Sequence, residues 1–235
     1  MTTWDIKQTH NLIHKRFCDE QLKLARRSIQ SLFDRQNYTQ YHYQEIVALF
    51  DAFQVEHLAR TTSILTLVGK EQRELDDFIL KIGAHGLACL HCLHSITDIL
   101  AHAIYFSLGL NLEPKPLSER GISLESVTTK LRLDTKFLSI LNRLENYTQS
   151  AAYKHLAAAS NLSKHRSVVS SSLNEDWSGS SAERHSLQFV AFNYLGAQFP
   201  ARTIQAVLQP VFENVGAVIV DTGNEFNTLL SAGAP

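Results

Sequence analysis

Hydrophobic positions recur at helical spacing over the first half of the chain. Apolar side chains follow a period near 3.6 residues across three stretches, at 5–34, about 40–68 and 72–110. This period predicts three long amphipathic helices. The polar segment "DRQNYTQYHY" predicts a break between the first two helices, and the prolines of "NLEPKP" are expected to end the third one.

The second half of the chain changes its period once. Ser123 is placed to cap a short helix, and a further helix is predicted from about 134 to 165. The segments "SVVSSSL" and "HSLQFVAFNYL" then alternate like strands, which predicts a β-hairpin near 167–195. A last helix is expected to begin near Thr203. Together the elements indicate a mainly α fold, an up-down helical bundle with a β-hairpin insertion.

Length and composition favour one soluble domain over residues 1–235. The chain carries 22 Lys and Arg against 23 Asp and Glu, so no overall field draws it to nucleic acid or to a membrane, and any contact with a polyanion must be local. The N-terminal segment has no apolar core typical of a secretory signal. Three cysteines are an odd number, which favours reduced thiols and a cytoplasmic location.

The most apolar stretch, 72–110, is long enough to span a bilayer. Ionisable side chains interrupt it, and each of them is costly to place in lipid. They are Lys81, His85, His91, His94, Asp98 and His102. We therefore predict a buried central helix and no membrane partner.

Four polar side chains share one face of this predicted central helix. They fall at i, i+3, i+7 and i+11, and they are His91, His94, Asp98 and His102. One interpretation is a hydrogen-bonded polar seam between helices, and the other is a metal site. A metal would need ligands from other helices, because residues eleven apart on one helix lie about 16 Å apart. Cys89 and Cys92 lie off this face, and we expect them to be buried thiols.

A second polar stripe ends in three consecutive cationic or titratable side chains. Lys154, Asn161 and His165 repeat the spacing i, i+7 and i+11, and Lys164 and Arg166 flank His165. One interpretation is favourable charge at the C-terminus of a helix. The other is a site for a phosphate or another anion.

The two stripes suggest a shared site. If the two helices are neighbours, the cationic end is the expected partner of Asp98, because a partly buried carboxylate requires a charge-assisted hydrogen bond. We therefore expect Asp98 to lie within one hydrogen bond, or one bridging water, of at least one side chain in this end. The candidates are Asn161, Lys164, His165 and Arg166.

The pairing of "LHSITDILAHAIYFSLGL" with a later "NLSKHRSVV" resembles a bacterial group of the HEPN-like superfamily. The resemblance covers roughly residues 75–175. It implies an all-helical bundle, and for many members of the wider superfamily it implies metal-independent ribonuclease activity in toxin-antitoxin or phage-defence systems. Such proteins usually act as dimers, and other members are not catalytic.

One part of the family pattern is absent. HEPN ribonucleases carry an Arg followed after several residues by a His on a helix, and only Arg35 and His42 have a matching spacing here. Roughly one or two such matches arise by chance in a chain with this many Arg and His residues. The pair also lies at the predicted helix break. We therefore discard this pair as a site, and nuclease activity does not follow from the family motif.

Two functions remain open. In the first, the protein acts on RNA or a nucleotide, with His165 as general acid or base, Lys164 and Arg166 holding phosphate, and Asp98 orienting one of them. The substrate-binding candidates are Asn161, His102 and Lys154. In the second, a non-catalytic bundle binds a small anionic ligand or a protein partner. Neither function requires a metal or a cofactor, and the uncharged stretch 186–199 favours a homodimer.

Overall fold

The computed structural model of the protein describes residues 3–60, 63–179 and 183–232. The fold is mainly helical, as the apolar periodicity predicts. Its α-helices are α1 (Ile6–Arg16), α2 (Asp19–Glu56), α3 (Lys70–Ser107), α4 (Leu124–Leu131), α5 (Leu138–Gln149), α6 (Ala151–His165) and α7 (Ile204–Ala232). Its strands are β1 (Ser171–Glu175), β2 (His185–Phe189), β3 (Phe192–Tyr194), β4 (Ala197–Phe199) and β5 (Arg202–Thr203).

The first two helices meet at a different place from the one predicted. The chain leaves the helical conformation at Phe17, with φ −119° and ψ −104°. The Phe17 ring lies against Gly109, where an added Cβ would come within 2.6 Å of it. α2 then continues through "DRQNYTQYHY", so the predicted break is wrong. That segment contains no Gly and no Pro, and polar residues alone cost a helix only a few tenths of a kcal/mol each, at roughly 0.7 at most.

The predicted helix from about 134 to 165 is two helices. Ser150 has extended backbone angles, φ −61° and ψ 144°, and it ends α5. Its hydroxyl accepts a hydrogen bond from the Tyr153 backbone N–H at 3.2 Å, which caps the start of α6. Ser123 caps α4 as predicted, in a reciprocal capping box with Ser126.

The predicted β-hairpin is confirmed for β1 and β2, which pair antiparallel with Leu173 opposite Leu187. β5 adds a third strand beside β2. The end of the predicted hairpin behaves differently, because β3 pairs with β4 in a separate two-stranded sheet. The turn between those two strands consists of Leu195 and Gly196, both with positive φ.

The residues group into two compact units. The first unit comprises residues 1–36, 93–154 and 211–235, and the second comprises 37–92 and 155–210. Helices α2, α3, α6 and α7 contribute residues to both. The expectation of a single domain stays a prediction.

A buried polar network ties the first unit together. The Trp4 indole N–H donates to the Thr9 hydroxyl at 2.7 Å, and Thr9 donates to the Asn227 side-chain oxygen at 2.6 Å. The Asn227 amide in turn donates to the Asp5 carbonyl at 3.0 Å. This chain of bonds joins the start of α1 to the end of α7 and satisfies polar groups that burial would otherwise penalise.

In the second unit, glycines let the sheet approach α3 closely. A Cβ at Gly86 would lie 3.1 Å from the ring of Phe189. Phe189 is fully buried in the middle of this contact. The three-stranded sheet therefore packs against α3. In the sequence, β1 follows the end of α6 after a short connection.

A glycine pair on α7 offers a test of packing in the first unit. A methyl group at Gly223 would overlap the Trp4 indole, so Gly223→Ala is expected to destabilise the protein by roughly 2 kcal/mol. At Gly216 the nearest side-chain atom, Nε2 of Gln36, would lie 3.4 Å away at the end of a flexible side chain. Gly216→Ala is therefore expected to be neutral or stabilising by up to about 1 kcal/mol. Urea unfolding of both variants measures the difference, and equal effects would contradict the assigned contact with Trp4.

α3 is the one described helix that is long and apolar enough to cross a membrane by length and composition. In its most apolar window, 56% of the surface is buried within the protein. This burial agrees with the predicted central core helix.

Candidate functional site

The cationic cluster of Lys164, His165 and Arg166 lies at the C-terminal end of α6, and all three side chains are exposed. Two hydrogen bonds end the helix: the backbone N–H groups of Arg166 and Ser167 donate to the carbonyl of Leu162 at 2.9 and 3.1 Å. The cluster is thus held on a well-formed helix end and faces solvent.

The chain segment after the cluster is anchored by a hydrogen bond at Val169. Val169 is buried, and its N–H donates to the Ser163 hydroxyl at 3.2 Å. The preceding residue, Val168, is exposed. The anchor fixes the direction in which the chain leaves the cationic cluster and enters β1.

Tyr194 of β3 joins the cluster. The guanidinium carbon of Arg166 lies 5.4 Å from the centroid of the Tyr194 ring, within the range of a cation–π contact. Such a contact orients the planar guanidinium and keeps its N–H donors available at the edges. A cation and an aromatic ring therefore contact each other in the second unit, and the exposed His165 directly precedes Arg166 in the sequence.

The half-buried His91 of α3 contacts α6. Nδ1 of His91 lies 3.1 Å from the Ser160 hydroxyl of α6. Burial, and secondarily the positive charge of Lys164, lower the pKa of His91. His91 is therefore held in its neutral form near neutral pH, and it serves as a hydrogen-bonding partner of α6.

The predicted site residues fall into two groups. Asn161, Lys164, His165 and Arg166 belong to the second unit, whereas Asp98, His102 and Lys154 belong to the first. The expected pairing of Asp98 with the cationic end stays a prediction. Within the first unit, Nδ1 of His102 lies 2.8 Å from the Asp98 backbone carbonyl, one helical turn earlier. The Asp98 carboxylate and the Lys154 side chain are exposed.

The remaining histidine of the α3 stripe makes an aromatic contact. The His94 ring lies 6.3 Å from the Tyr153 ring at an interplanar angle of 15°. Tyr153 donates from its hydroxyl to the Thr97 hydroxyl at 3.3 Å, and its burial raises the pKa of the phenol. Within the described ranges no group of three or more His, Cys, Asp or Glu side chains is arranged to hold a metal ion.

Cys89 and Cys92 are buried as expected, and Cys18 is exposed. The Cys89 thiol donates to the Thr39 carbonyl at 3.5 Å, and burial raises the pKa of this thiol to about 12. Cys89 is thus an unreactive packing group.

Another histidine pair joins α2 and α3. The Nδ1 atoms of His42 and His85 lie 3.0 Å apart, so one ring must donate and the other accept. Burial, followed by the charge of His85, lowers the pKa of His42. Arg35 and His42 both lie on the continuous α2, so the predicted helix break no longer argues against this pair as a site. The high frequency of such a spacing by chance still argues against it.

Sequence reasoning missed two contributors to the surface. Tyr194 lies 28 residues beyond Arg166, and only the β3–β4 pairing brings it there. Ser160 belongs to the small-residue side of α6 and gave no signal of its own. The uncharged composition around Tyr194 predicts self-association and not a contact with Arg166.

Comparison with known proteins identifies no relative, since the chain matches no protein-family model, no curated protein and no solved structure.

Proposed function

We propose that the protein is a HEPN-like protein that binds RNA or a nucleotide through the exposed end of α6. The supporting observation is the arrangement of the Arg166 guanidinium over the Tyr194 ring, beside exposed Lys164 and His165. Proteins that bind single-stranded nucleic acid combine cationic side chains for phosphates with aromatic rings for bases. The same combination is present on this surface.

Each side chain has a distinct proposed role. Arg166 and Lys164 hold phosphate oxygens, Arg166 through its planar donors and Lys164 as a point charge. His165, lying between them in sequence, exchanges a proton with the ribose hydroxyl or the leaving oxygen. Asn161, half-buried one turn earlier, contributes an amide hydrogen bond.

The first-unit residues have supporting roles in the proposal. The sequence assigns Asp98 the role of orienting one cation, and His102 and Lys154 the role of contacting substrate, and these assignments stay predictions. In a HEPN-like protein this chemistry needs no metal and serves a toxin-antitoxin or phage-defence system.

A second candidate is a non-catalytic bundle that binds a small anion or a protein partner. The observation that favours it is the location of Lys164 and Arg166 at a helix C-terminus. Cations at this position stabilise the helix by about 0.3 to 1 kcal/mol each, without any proton transfer. An exposed cationic end also binds an anion without catalysing a reaction.

α1 supplies a matched control, because it ends in His14, Lys15 and Arg16. The same three residue types thus occur at the end of a second helix, and Arg16 also lies over an aromatic ring, that of Phe17, at 5.8 Å. A substitution that acts only through helix-end charge must have the same effect at both ends.

The expected result is a loss of RNA affinity at one helix end only. The double variant Lys164→Gln, Arg166→Gln is expected to weaken binding of a fluorescent single-stranded RNA by roughly 10-fold or more and to reduce the salt dependence by about two phosphate contacts. Lys15→Gln with Arg16→Gln is expected to bind RNA as the wild type does. Fluorescence anisotropy over a range of salt concentrations measures both. Equal losses at the two ends, or no loss at either, would contradict the proposed site.

A further inference from the structure

The β3–β4 hairpin and its flanks carry no charge. Residues 186–201 contain no Asp, Glu, Lys, Arg or His. One face of the hairpin is covered by α6, because the Phe192 and Phe199 rings stack at 4.9 Å and His155 contacts both rings edge-on. The other face carries Asn193 and Gln198, which are cross-strand partners and exposed.

The tip of this hairpin has an unusual residue. Leu195 adopts a positive φ of 50°, and its side chain is 70% exposed. Two-residue hairpin turns of this kind favour Asn, Asp or Gly at such a position, and a leucine there is unfavourable both for its backbone and for its exposed apolar side chain. Leu195 therefore carries an unfavourable backbone conformation and an unfavourably exposed side chain. A contact with another molecule would bury this side chain.

The base of the same hairpin holds a hollow of about 480 Å³. It is lined by Ala191, Phe192, Asn193, Gln198, Phe199 and Pro200. The lining is apolar with two neutral amides and has no charged group. The hollow has room for a leucine side chain, and its chemistry matches one.

We propose that the hairpin is the contact surface between two copies of this chain, in which Leu195 of each copy fills the hollow of the other. Two hairpins lying side by side and antiparallel place the tip of each against the base of the other, which is the reciprocal arrangement that a two-fold interface requires. Because both knob-in-hollow contacts form between the same two hairpins, the contact closes at two copies.

The absence of charge identifies the partner as a second copy. Near a two-fold axis each side chain faces its own equivalent, so any charged residue there would meet a like charge. Residues 186–201 themselves contribute no such charge, and the cation that contacts the hairpin, Arg166, lies 5.4 Å from the Tyr194 ring. Within the described part of the chain, β3 and β4 pair only with each other, so their outer edges also offer backbone groups to a second hairpin. The inference gives the expected homodimer a surface, and it does not depend on RNA binding.

The first test is the change of oligomeric state in Leu195→Asn. Asparagine tolerates the positive φ, so the hairpin is expected to fold at least as well, while the knob is lost. Sedimentation equilibrium at about 1 to 100 µM is expected to show a wild-type dimer and at least a 10-fold larger dissociation constant for the variant. Leu133→Asn is the control, because Leu133 is 83% exposed and lies far along the chain from the hairpin. Its dimer is expected to be unchanged.

The second test locates the contact directly. In a Cys18→Ser background, chains carrying Leu195→Cys are mixed with differently tagged chains carrying Gln198→Cys, and mild oxidation is expected to give the mixed disulfide. Cys89 and Cys92 are buried and do not compete. A wild-type monomer at 100 µM, a dimer that Leu195→Asn leaves intact, or a monomer that binds anionic vesicles through Leu195 would each overturn the proposal.

Discussion

Replacing His155 by leucine is expected to abolish a loss of roughly 3 kcal/mol in the free energy of unfolding that the wild type shows between pH 6.5 and pH 4. His155 is only 4% exposed, and its burial, followed by the charge of Arg202, lowers the pKa from 6.5 to about 4. The folded protein therefore keeps this imidazole neutral where the unfolded chain binds a proton. Stability is full above pH 6.5 and falls as the pH decreases toward 4, by about 1.4 kcal/mol per pH unit.

Urea unfolding at pH 7, 6, 5 and 4 measures this dependence as a difference between the variant and the wild type. Burial also lowers the pKa values of His10, His42 and His91, so the variant is expected to retain part of the wild-type slope. His165→Ala is the control on the same helix, because this side chain is exposed. A slope that His155→Leu leaves unchanged would show that the folded protein takes up a proton at this residue as readily as the unfolded chain does, and would contradict the lowered pKa.

Most of the helical fold could be predicted because long apolar stripes dominate it. α3 and α7 lie where the periodicity predicts them, within a few residues. The boundaries that failed depend on single contacts. The chain breaks at Phe17, whose ring packs against Gly109, and at Ser150, whose hydroxyl starts a new helix. Phe17 carries no local signal for a break, whereas Ser150 is a residue type that caps helices but lies inside an otherwise continuous helical pattern.

The polar segment after residue 33 shows the opposite failure. The few apolar residues of "DRQNYTQYHY" predict a break, yet α2 passes through this segment. Thr39 is buried there, and His42 contacts His85 on α3. Contacts with α3 thus stabilise a stretch whose local sequence gives little support to a helix.

The cationic end of α6 could be predicted, but its surroundings could not. Lys164, His165 and Arg166 are adjacent in sequence, so their exposure at a helix end follows from the helix boundary alone. The contact with Tyr194 depends on strand register: β3 pairs with β4, while the predicted longer hairpin would have assigned Tyr194 to a different partner. Strand register is set by turn conformation, here the positive φ of Leu195 and Gly196.

A comparison of α1 and α6 separates cation–aromatic contacts that arise from neighbouring residues from those that depend on the tertiary fold. Both helices end in His, Lys and Arg. Arg16 contacts the ring of its immediate neighbour Phe17, whereas Arg166 contacts Tyr194 in a different element. Helix-end charge accounts for the first arrangement completely. The second requires the hairpin to lie beside Arg166, which is why RNA binding is proposed for the end of α6 and not for the end of α1.

His165→Ala is expected to lower RNA cleavage by about 100-fold or more while the fold persists, because a positioned acid or base typically supplies 10² to 10⁴ in rate. RNA affinity is expected to change little, since Lys164 and Arg166 remain to hold phosphate. Single-turnover cleavage of a labelled RNA, together with anisotropy on the same substrate, separates the rate from the binding. His14→Ala at the end of α1 is the matched control and is expected to cleave as the wild type does.

The opposite result would select the non-catalytic function. If His165 had no catalytic role, His165→Ala would change the free energy of unfolding by only about 0.5 kcal/mol, because the side chain is exposed, and wild-type protein would cleave no RNA or nucleotide. The exposed position of His165 at the end of α6 argues for the catalytic role, because a solvent-facing imidazole has little buried surface to stabilise and can reach a bound substrate. An inactive wild type that still loses affinity in Lys164→Gln, Arg166→Gln would therefore retain the anion-binding surface and exclude proton transfer by His165.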